Sequence, residues 1–262
     1  MDKYLKETYV KLTPKEHILK RPGMYVGSLI SKLNNLFILD CDAKNKSSEL
    51  DIYKIINKEI MFNEGLYKII DEIITNAIDQ TIKDSTLSII YSNITEESFI
   101  LFNNGQGIDV AIHPEHKIYI PQLIFSELLS STNYNDEISQ VVGGTYGIGI
   151  KLSVIFSKKF ELKVWDSKRK LYFYQIYENN LSKISKPIVK KYKDINDDEL
   201  TQGINKKYLK TGGVKIKIYP DFERFGVKNF DKDFIGLIKR RLLDLIVVTR
   251  KNIDLFINAD KI

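Results

Sequence analysis

The 262-residue sequence predicts an α+β fold in which one sheet packs against helices in a two-layer α/β sandwich. Strand-like segments follow one another along the chain, and the helical segments stand apart from them, which favours antiparallel pairing between neighbouring strands. A doubly wound parallel fold would instead need strands and helices to alternate regularly. Hydrophobic residues make up 43% of the chain, enough to bury a sizeable core and to exclude broad disorder.

Composition also limits the compartment and the partners. The chain has one cysteine, Cys41, so intrachain disulfides and a disulfide-rich secreted scaffold are excluded. No apolar run approaches the ~20 residues of a membrane helix, and we expect an intracellular protein with no membrane partner. The net charge of +6 fits a nucleic-acid partner without identifying one, because charges of both signs are spread along the chain.

The helices follow from apolar residues at helical spacing, and the strongest pattern covers residues 64–83 with Asn63 as its N-cap. A short helix is expected near residues 15–19, and three further helices are expected over residues 121–129, 149–156 and 231–248. The helix at residues 231–248 is expected to bury an apolar stripe that includes Leu245 and Ile246.

Six segments rich in β-branched and aromatic residues predict strands. The short polar link at residues 167–170 predicts that the third and fourth strands form a hairpin. Residues 41–51 are expected to form a surface loop. Residues 1–30 are polar and interrupted by proline and glycine, so we expect an N-terminal arm there and a compact domain over residues 31–262. The expected strands cover residues 87–91, 98–103, 160–166, 171–177, 214–219 and 253–258.

Three polar side chains lie on one face of the long predicted helix, opposite its apolar stripe. They are Glu72, Asn76 and Asp79, at positions i, i+4 and i+7 of this helix. The carboxylate can take a proton from water, and the amide oxygen can hold a hard cation such as Mg²⁺. A solvated helix face remains the more common meaning of such a pattern taken alone.

A glycine-containing turn follows the second predicted strand, with the sequence Asn-Asn-Gly-Gln-Gly-Ile at residues 103–108. The glycines allow backbone conformations that other residues resist. Asn103, at the strand end, could hydrogen-bond a flat heterocycle such as adenine through its amide. A simple turn is the alternative for this segment.

A glycine-rich loop precedes the predicted helix at residues 149–156. Four glycines fall within residues 143–149, and Lys151 follows them. Backbone N–H groups at the start of a helix can bind phosphates, and the lysine could add a point charge. The spacing fits neither a Walker A loop nor a Rossmann fingerprint, and a mobile surface loop is the alternative.

The order of these three features resembles that of the GHKL ATPases. Within that group, the chain is similar to the ATPase region of the eukaryote-type type IIA DNA topoisomerases. The resemblance implies a Bergerat fold, with a mixed, mostly antiparallel sheet and helices on one face. The segments that carry it extend over nearly the whole chain: residues 16–28, 65–77, 118–121, 128–134 and 221–226, and the helix containing Arg240 and Arg241.

The resemblance implies roles for individual residues. Glu72 matches the glutamate that activates the hydrolytic water, Asn76 matches the Mg²⁺-binding asparagine, and Asn103 corresponds to the group near the adenine edge. A nucleotide-contacting triplet is matched by Ser131, Thr132 and Asn133. The phosphate loop is matched by Gly144, Thr145, Tyr146, Gly147, Ile148, Gly149, Ile150 and Lys151.

The phosphate loop departs from the family pattern, which reads Gly-Arg-Asn-Gly-Tyr-Gly-Ala-Lys. Thr145, Tyr146, Ile148 and Ile150 stand at the Arg, Asn, Tyr and Ala positions. The loop therefore loses one cation and one amide but keeps its glycines and Lys151. In the triplet, Thr132 replaces serine and keeps the hydroxyl.

The resemblance implies an ATP-hydrolysing N-gate domain with ATP and Mg²⁺ as cofactors. Two copies would dimerise on nucleotide binding and capture double-stranded DNA, with residues 1–30 as the strap exchanged between them. The transducer lysine and the DNA-cleaving tyrosine are expected outside this chain, in a larger protein. The divergent loop and the abundance of Ile, Lys, Asn and Tyr, which suggests an AT-rich genome, fit a large DNA virus or a divergent eukaryote as the source, and we favour the virus. The protein is expected in a nucleus or, if viral, in a cytoplasmic viral factory. The alternatives are a bacterial- or phage-type gyrase subunit and a non-hydrolysing scaffold module.

Overall fold

A computed structural model describes residues 11–41, 54–128, 147–196, 198, 204–249, 252–258 and 260–262. Six helices are described in full: α1 (Pro14–Lys20), α2 (Glu64–Lys83), α3 (Ile120–Ser126), α4 (Gly149–Ile155), α5 (Lys232–Leu243) and α6 (Leu245–Val248). Eleven strands lie in the described residues: β1 (Lys32–Leu39), β2 (Ile55–Phe62), β3 (Ile89–Ile94), β4 (Phe99–Asn104), β5 (Ser157–Asp166), β6 (Leu171–Glu178), β7 (Lys183–Ile184), β8 (Ile188–Lys191), β9 (Gly213–Pro220), β10 (Asp254–Ile257) and β11 (Asp260–Lys261).

Nine of these strands form one mixed sheet in the order β11-β10-β3-β4-β9-β5-β6-β7, with β8 also paired to β6. All neighbouring strands in this sheet are antiparallel except β10 and β3, which are parallel. The predicted β5–β6 hairpin is confirmed, with Asp166 opposite Leu171. Helices α2, α4 and α5 share one large hydrophobic cluster with the sheet. The predicted α+β architecture is therefore confirmed.

Helix α2 has the predicted bounds because its sequence provides both a cap and an apolar stripe. The side chain of Asn63 accepts a hydrogen bond from the backbone N–H of Leu66 at 2.9 Å. Its amide nitrogen donates to the carbonyls of Leu29 and Phe225, which ties the start of the helix to two distant segments. The stripe is at most 1% exposed and consists of Ile69, Ile70, Ile73 and Ile74.

The last predicted helix is interrupted. Helix α5 ends at Leu243, Asp244 caps it, and the short α6 follows. Leu245 is buried as expected, but the prediction for Ile246 was wrong, because its side chain is about half exposed beyond the break. Helix α3 also ends earlier than predicted, at Ser126.

A separate two-stranded sheet, β1–β2, was not predicted. It packs on α5 through a small cluster of Ile38, Ile60 and Leu237. At Gly236 of α5, an added Cβ atom would lie 2.5 Å from the carbonyl oxygen of Leu39, so the helix and strand backbones approach closely. Most of the predicted loop at residues 41–51 lies outside the described residues.

The described part of the predicted N-terminal arm packs against the domain. Helix α1 begins with a capping box in which the side chains of Thr13 and Glu16 each bind the other's backbone N–H. Ile18 and Val26 are both 2% exposed and belong to the main hydrophobic cluster. The assignment of residues 1–30 as a separate arm stays a prediction. Among the described helices, none has the length and apolar character needed to cross a bilayer.

Candidate active site

A cavity of about 590 Å³ lies between the polar face of α2 and the sheet. This volume falls within the range of about 300–1,000 Å³ that is typical of small-molecule sites. The turn after β4 and the start of α4 form further parts of its wall. The long helix, the end of β4 and the described part of the glycine loop therefore line the same space.

Part of the predicted site is brought together here. Seven residues line the cavity: Glu72, Asn76, Asn103, Gly147, Gly149, Ile150 and Lys151. Ile148 does not line it, and its partly buried side chain packs against the main hydrophobic cluster. Six predicted site residues lie outside the described residues: Ser131, Thr132, Asn133, Gly144, Thr145 and Tyr146.

The carboxylate of Glu72 is held from two sides. Lys68, one turn earlier on α2, forms an ion pair with it at 2.7 Å. Gly149, the first residue of α4, lies directly against it, and an added Cβ atom at this glycine would overlap the carboxylate oxygen Oε2. The absence of a side chain at Gly149 thus allows the loop backbone to reach the carboxylate.

Asn76 contacts the same turn of α2. Its Nδ2 donates to the backbone carbonyl of Glu72 at 2.6 Å, which leaves Oδ1 available as an acceptor. Among the described residues, no group of three or more His, Cys, Asp or Glu side chains could hold a metal by itself. The amide oxygen of Asn76 fits Mg²⁺, which commonly takes few protein ligands and completes its shell with phosphate oxygens and water.

The two asparagines at the end of β4 have different surroundings. Asn103 lines the cavity, is 8% exposed, and donates from Nδ2 to the carbonyl of Asn104 at 3.0 Å. The Oδ1 of Asn104 accepts from the backbone N–H groups of Ser88 and Ile89 at the start of β3. Asn103 therefore belongs to the cavity, and Asn104 connects two strands.

The turn after β4 is fixed to the end of α2 by Asp84. One carboxylate oxygen of Asp84 accepts from the backbone N–H of Thr86, and the other accepts from that of Gln106. Gly105 has φ +121°, and a side chain there would meet the Asp84 carboxylate. A residue other than glycine would be strained at this φ, so the glycine is needed for the turn to close over Asp84.

Lys151 is buried at the rim of the cavity. Its Nζ donates to the carbonyl of Gly147 at 2.5 Å. Burial lowers the pKa of Lys151 to about 8, against the opposing influence of the Glu127 carboxylate. Because its pKa lies close to neutral pH, its charge is sensitive to a nearby anion.

Sequence reasoning missed the apolar lining of the cavity. Side chains from α3, β4 and β9 contribute to it, and they gave no functional signal because apolar residues at regular spacing are typical of core. Several polar lining residues were missed as well, although they flank the features described above. The apolar set includes Leu101, Ile120, Ile124, Phe125, Val214 and Ile216, and the missed polar set includes Gln80, Lys83, Gln106, Asp109 and Lys168.

The sequence is similar to those of several proteins named DNA topoisomerase 2. DNA topoisomerase 2 of Acanthamoeba polyphaga mimivirus is 38% identical over 253 residues, which cover 96% of this chain and 18% of that protein. DNA topoisomerase 2 of Candida albicans is 35% identical over 258 residues, covering 98% of this chain and 16% of that protein. The chain thus spans less than a fifth of the length of these relatives. No family model matches the sequence.

Solved structures share the fold. The ATPase region of Saccharomyces cerevisiae topoisomerase II matches with a TM-score of 0.85 and 33% identity, over 98% of this chain and 62% of that one. The ATPase and transducer domains of DNA topoisomerase II from Balamuthia mandrillaris match with a TM-score of 0.83 and 31% identity, over 98% of this chain and 61% of that one. In sequence and in fold, the chain therefore belongs with the ATPase regions of the eukaryote-type DNA topoisomerase II family.

Proposed function

We propose that this chain binds ATP with Mg²⁺ and hydrolyses it, as the nucleotide-operated gate of a type IIA DNA topoisomerase. One observation carries the proposal. A carboxylate, Glu72, and an amide, Asn76, lie one turn apart on α2 and line a cavity that Gly147, Gly149 and Lys151 also line. General-base, cation-binding and phosphate-binding groups are the parts that ATP hydrolysis requires.

We assign the adenine to the part of the cavity next to Asn103 and the apolar side chains of β4 and β9. The amide of Asn103 can donate to and accept from the edge of a purine. The phosphates are assigned to the loop between Gly147 and Lys151, where backbone N–H groups and a lysine can neutralise them. Asn76 would hold Mg²⁺, which would supply positive charge to the phosphates when bound.

In the hydrolytic step, Glu72 accepts a proton from a water whose oxygen bonds to the γ-phosphorus, while the bond between that phosphorus and the bridging oxygen breaks and ADP leaves. Phosphoryl transfer depends mainly on positioning and on charge stabilisation. Lys68 and Gly149 serve the positioning, because they fix the carboxylate from two sides. We therefore treat Lys68 as a positioning residue and Glu72 as the catalytic residue.

For the longer protein, we propose that two copies close on ATP binding and capture a DNA duplex, and that hydrolysis helps to reopen the gate. The named relatives are topoisomerase II enzymes from a virus and from a eukaryote, which favours this branch over a gyrase-type subunit. Such a protein would act where its DNA lies, in a nucleus or, for a virus, in a cytoplasmic factory.

The substitution Glu72→Gln tests the catalytic assignment. It removes the proton acceptor but keeps the size of the side chain, so we expect phosphate release to fall by about 10²–10⁴-fold. Binding of a non-hydrolysable ATP analogue should be retained. Glu59→Gln, on the exposed face of β2, is the matched control and should leave both quantities unchanged.

A non-hydrolysing, nucleotide-sensing module is the second candidate. The observation that favours it is the altered loop, in which Ile148 packs into the core and Ile150 lines the cavity. ATP binding without any phosphate release, in this chain and in the longer protein, would support the second candidate. Unchanged phosphate release in Glu72→Gln would contradict the assignment of the base.

A further inference from the structure

The two faces of β9 carry different chemistry. Val214 and Ile216 line the nucleotide cavity on the helix-covered face of the sheet. Lys215 and Lys217 alternate with them and therefore project from the opposite face. Both lysine side chains are only partly exposed, because they lie among neighbouring side chains of the sheet.

The lysines of β9 meet lysines of β5 across the sheet. Lys163 is directly opposite Lys215, and Lys217 is opposite Glu161. Glu161 forms an ion pair with Lys159 at 2.8 Å. We call this group the lysine patch, and it consists of Lys159, Glu161, Lys163, Tyr174, Lys215, Lys217 and Tyr219.

Tyrosine rings hold three of the lysine amines in place. The Nζ of Lys163 lies 5.2 Å from the ring centre of Tyr174. The Nζ atoms of Lys217 and Lys159 lie 4.8 and 5.6 Å from the ring centre of Tyr219. Cation–π contacts of this kind order long side chains without removing their charge. The patch is therefore a fixed array of positive charge on a rigid sheet.

The positive charges of the lysine patch repel one another. Burial, together with the nearby charges of Lys163 and Lys217, lowers the pKa of Lys215 to about 8. The pKa of Lys163 is also lowered, mainly by burial. Like charges directly opposite each other in a sheet reduce stability. A polyanion bound across the patch would relieve this repulsion.

The other end of this sheet face is covered by a hydrophobic cluster. At the other end of β5 and β6, Trp165 and Tyr172 pack under Leu209 in a separate hydrophobic cluster. Leu209 belongs to the 3-10 turn Lys206–Lys210. Among the described residues, that cluster covers the aromatic end of the face, and Tyr174 is the one member of the lysine patch that packs against it.

We propose that the lysine patch binds the phosphate backbone of duplex DNA, an inference that rests on the proposed function. The lysine amines are point charges that can bind phosphate oxygens. From Lys159 to Lys163 the patch extends about 13 Å along β5, and a DNA strand carries one phosphate per about 3.4 Å of helix axis. Binding is independent of sequence, because contacts to phosphates do not read bases.

The test is binding of a short fluorescent DNA duplex over a range of KCl concentrations. The patch variant is Lys163→Gln, Lys215→Gln and Lys217→Gln combined. The control variant, with the same loss of charge, combines Lys20→Gln, Lys186→Gln and Lys228→Gln at exposed sites elsewhere. Binding of a non-hydrolysable ATP analogue is measured in the same preparations, because the cavity lies on the opposite face.

We expect the patch variant to bind the duplex at least about tenfold more weakly. The slope of log K against log salt is negative, and its magnitude should decrease by about 0.9 for each lysine removed. The control variant should keep nearly the wild-type slope, and both variants should keep ATP-analogue binding. If the triple variant does not fold, Lys217→Gln alone should lower the slope by about 0.9.

Equal losses in the patch and control variants would mean that only net charge matters, and would overturn the proposal. So would an unchanged slope in the patch variant. Patch-dependent binding to anionic lipid vesicles or an acidic peptide, without loss of DNA binding, would overturn DNA as the partner. Because ATP-analogue binding is read separately, these outcomes leave the proposed ATPase function standing.

Discussion

The two faces of the nine-stranded sheet serve different purposes, and β9 contributes to both. On the helix-covered face, Ile216 and Ile218 are at most 6% exposed and belong to the main hydrophobic cluster. On the opposite face, Lys215 and Lys217 are partly exposed and lie among other lysines and tyrosines. One strand thus contributes to a stable core and to a charged surface at once, because its side chains alternate between the two faces of the sheet.

The largest expected effect is a difference in the free energy of unfolding between substitutions on the two faces of the sheet. Ile218→Ala removes a fully buried side chain and should lower the free energy of unfolding by about 2–5 kcal/mol, through lost burial and a residual cavity. Lys217→Ala, the adjacent residue on the other face, should cost less than about 1 kcal/mol. Urea denaturation followed by circular dichroism measures both. Equal losses would contradict the division between the faces.

The next effect concerns catalysis on the helix-covered face. Gly149→Ala places a methyl group against the Glu72 carboxylate, which lies at the far end of a flexible side chain and can be displaced by it. Stability should therefore change little, while ATP turnover should fall by about 100-fold because the base is displaced. Gly23→Ala is the matched control, because an added Cβ atom there meets no atom within 4 Å. Wild-type turnover in Gly149→Ala would contradict the positioning of Glu72.

A smaller effect is expected from the positioning residue. Lys68→Met removes the 2.7 Å ion pair that orients Glu72 and should lower kcat by about tenfold with little change in KM. Lys68→Arg keeps the charge and should restore most of the activity. Steady-state kinetics of phosphate release measure both variants. A change in KM alone would show that Lys68 contributes to binding rather than to positioning.

The smallest effect is a pH dependence. The pKa of Lys151 is lowered to about 8, so this amine loses its positive charge as the pH rises through that value, well before an ordinary lysine does. ATP-analogue affinity should fall several-fold between about pH 7 and about pH 9. Lys151→Met should bind more weakly at low pH and show a flatter profile, provided that circular dichroism confirms its fold. An identical profile in wild type and variant would remove Lys151 from the phosphate site.

Much of the fold could be predicted because local signals agree with the tertiary structure. Helix α2 has a cap and an unbroken apolar stripe, and the β5–β6 hairpin has a short polar link. The β1–β2 sheet was missed because its position depends on packing against Gly236 of α5, which has no local signature. The break at Asp244 was missed because the apolar spacing continues through it.

The candidate site was predictable where polar groups occupy regular positions. Glu72, Asn76 and Asn103 all line one cavity. Ile148 does not line the cavity, because its side chain packs against the hydrophobic cluster. The apolar lining from Ile120, Phe125 and other residues could not be recognised, since a ligand cavity and a core use the same residue types.

The central claim is that this chain closes a Mg²⁺-ATP site between α2 and the glycine loop. The most direct test is Mg²⁺-dependent binding of a non-hydrolysable ATP analogue, with the mass of the complex measured in the same sample. We predict binding that requires Mg²⁺, is weakened by Asn76→Ala, and converts monomers to dimers. Binding without dimerisation would assign gate closure to segments outside this chain. The absence of Mg²⁺-dependent binding would contradict the account.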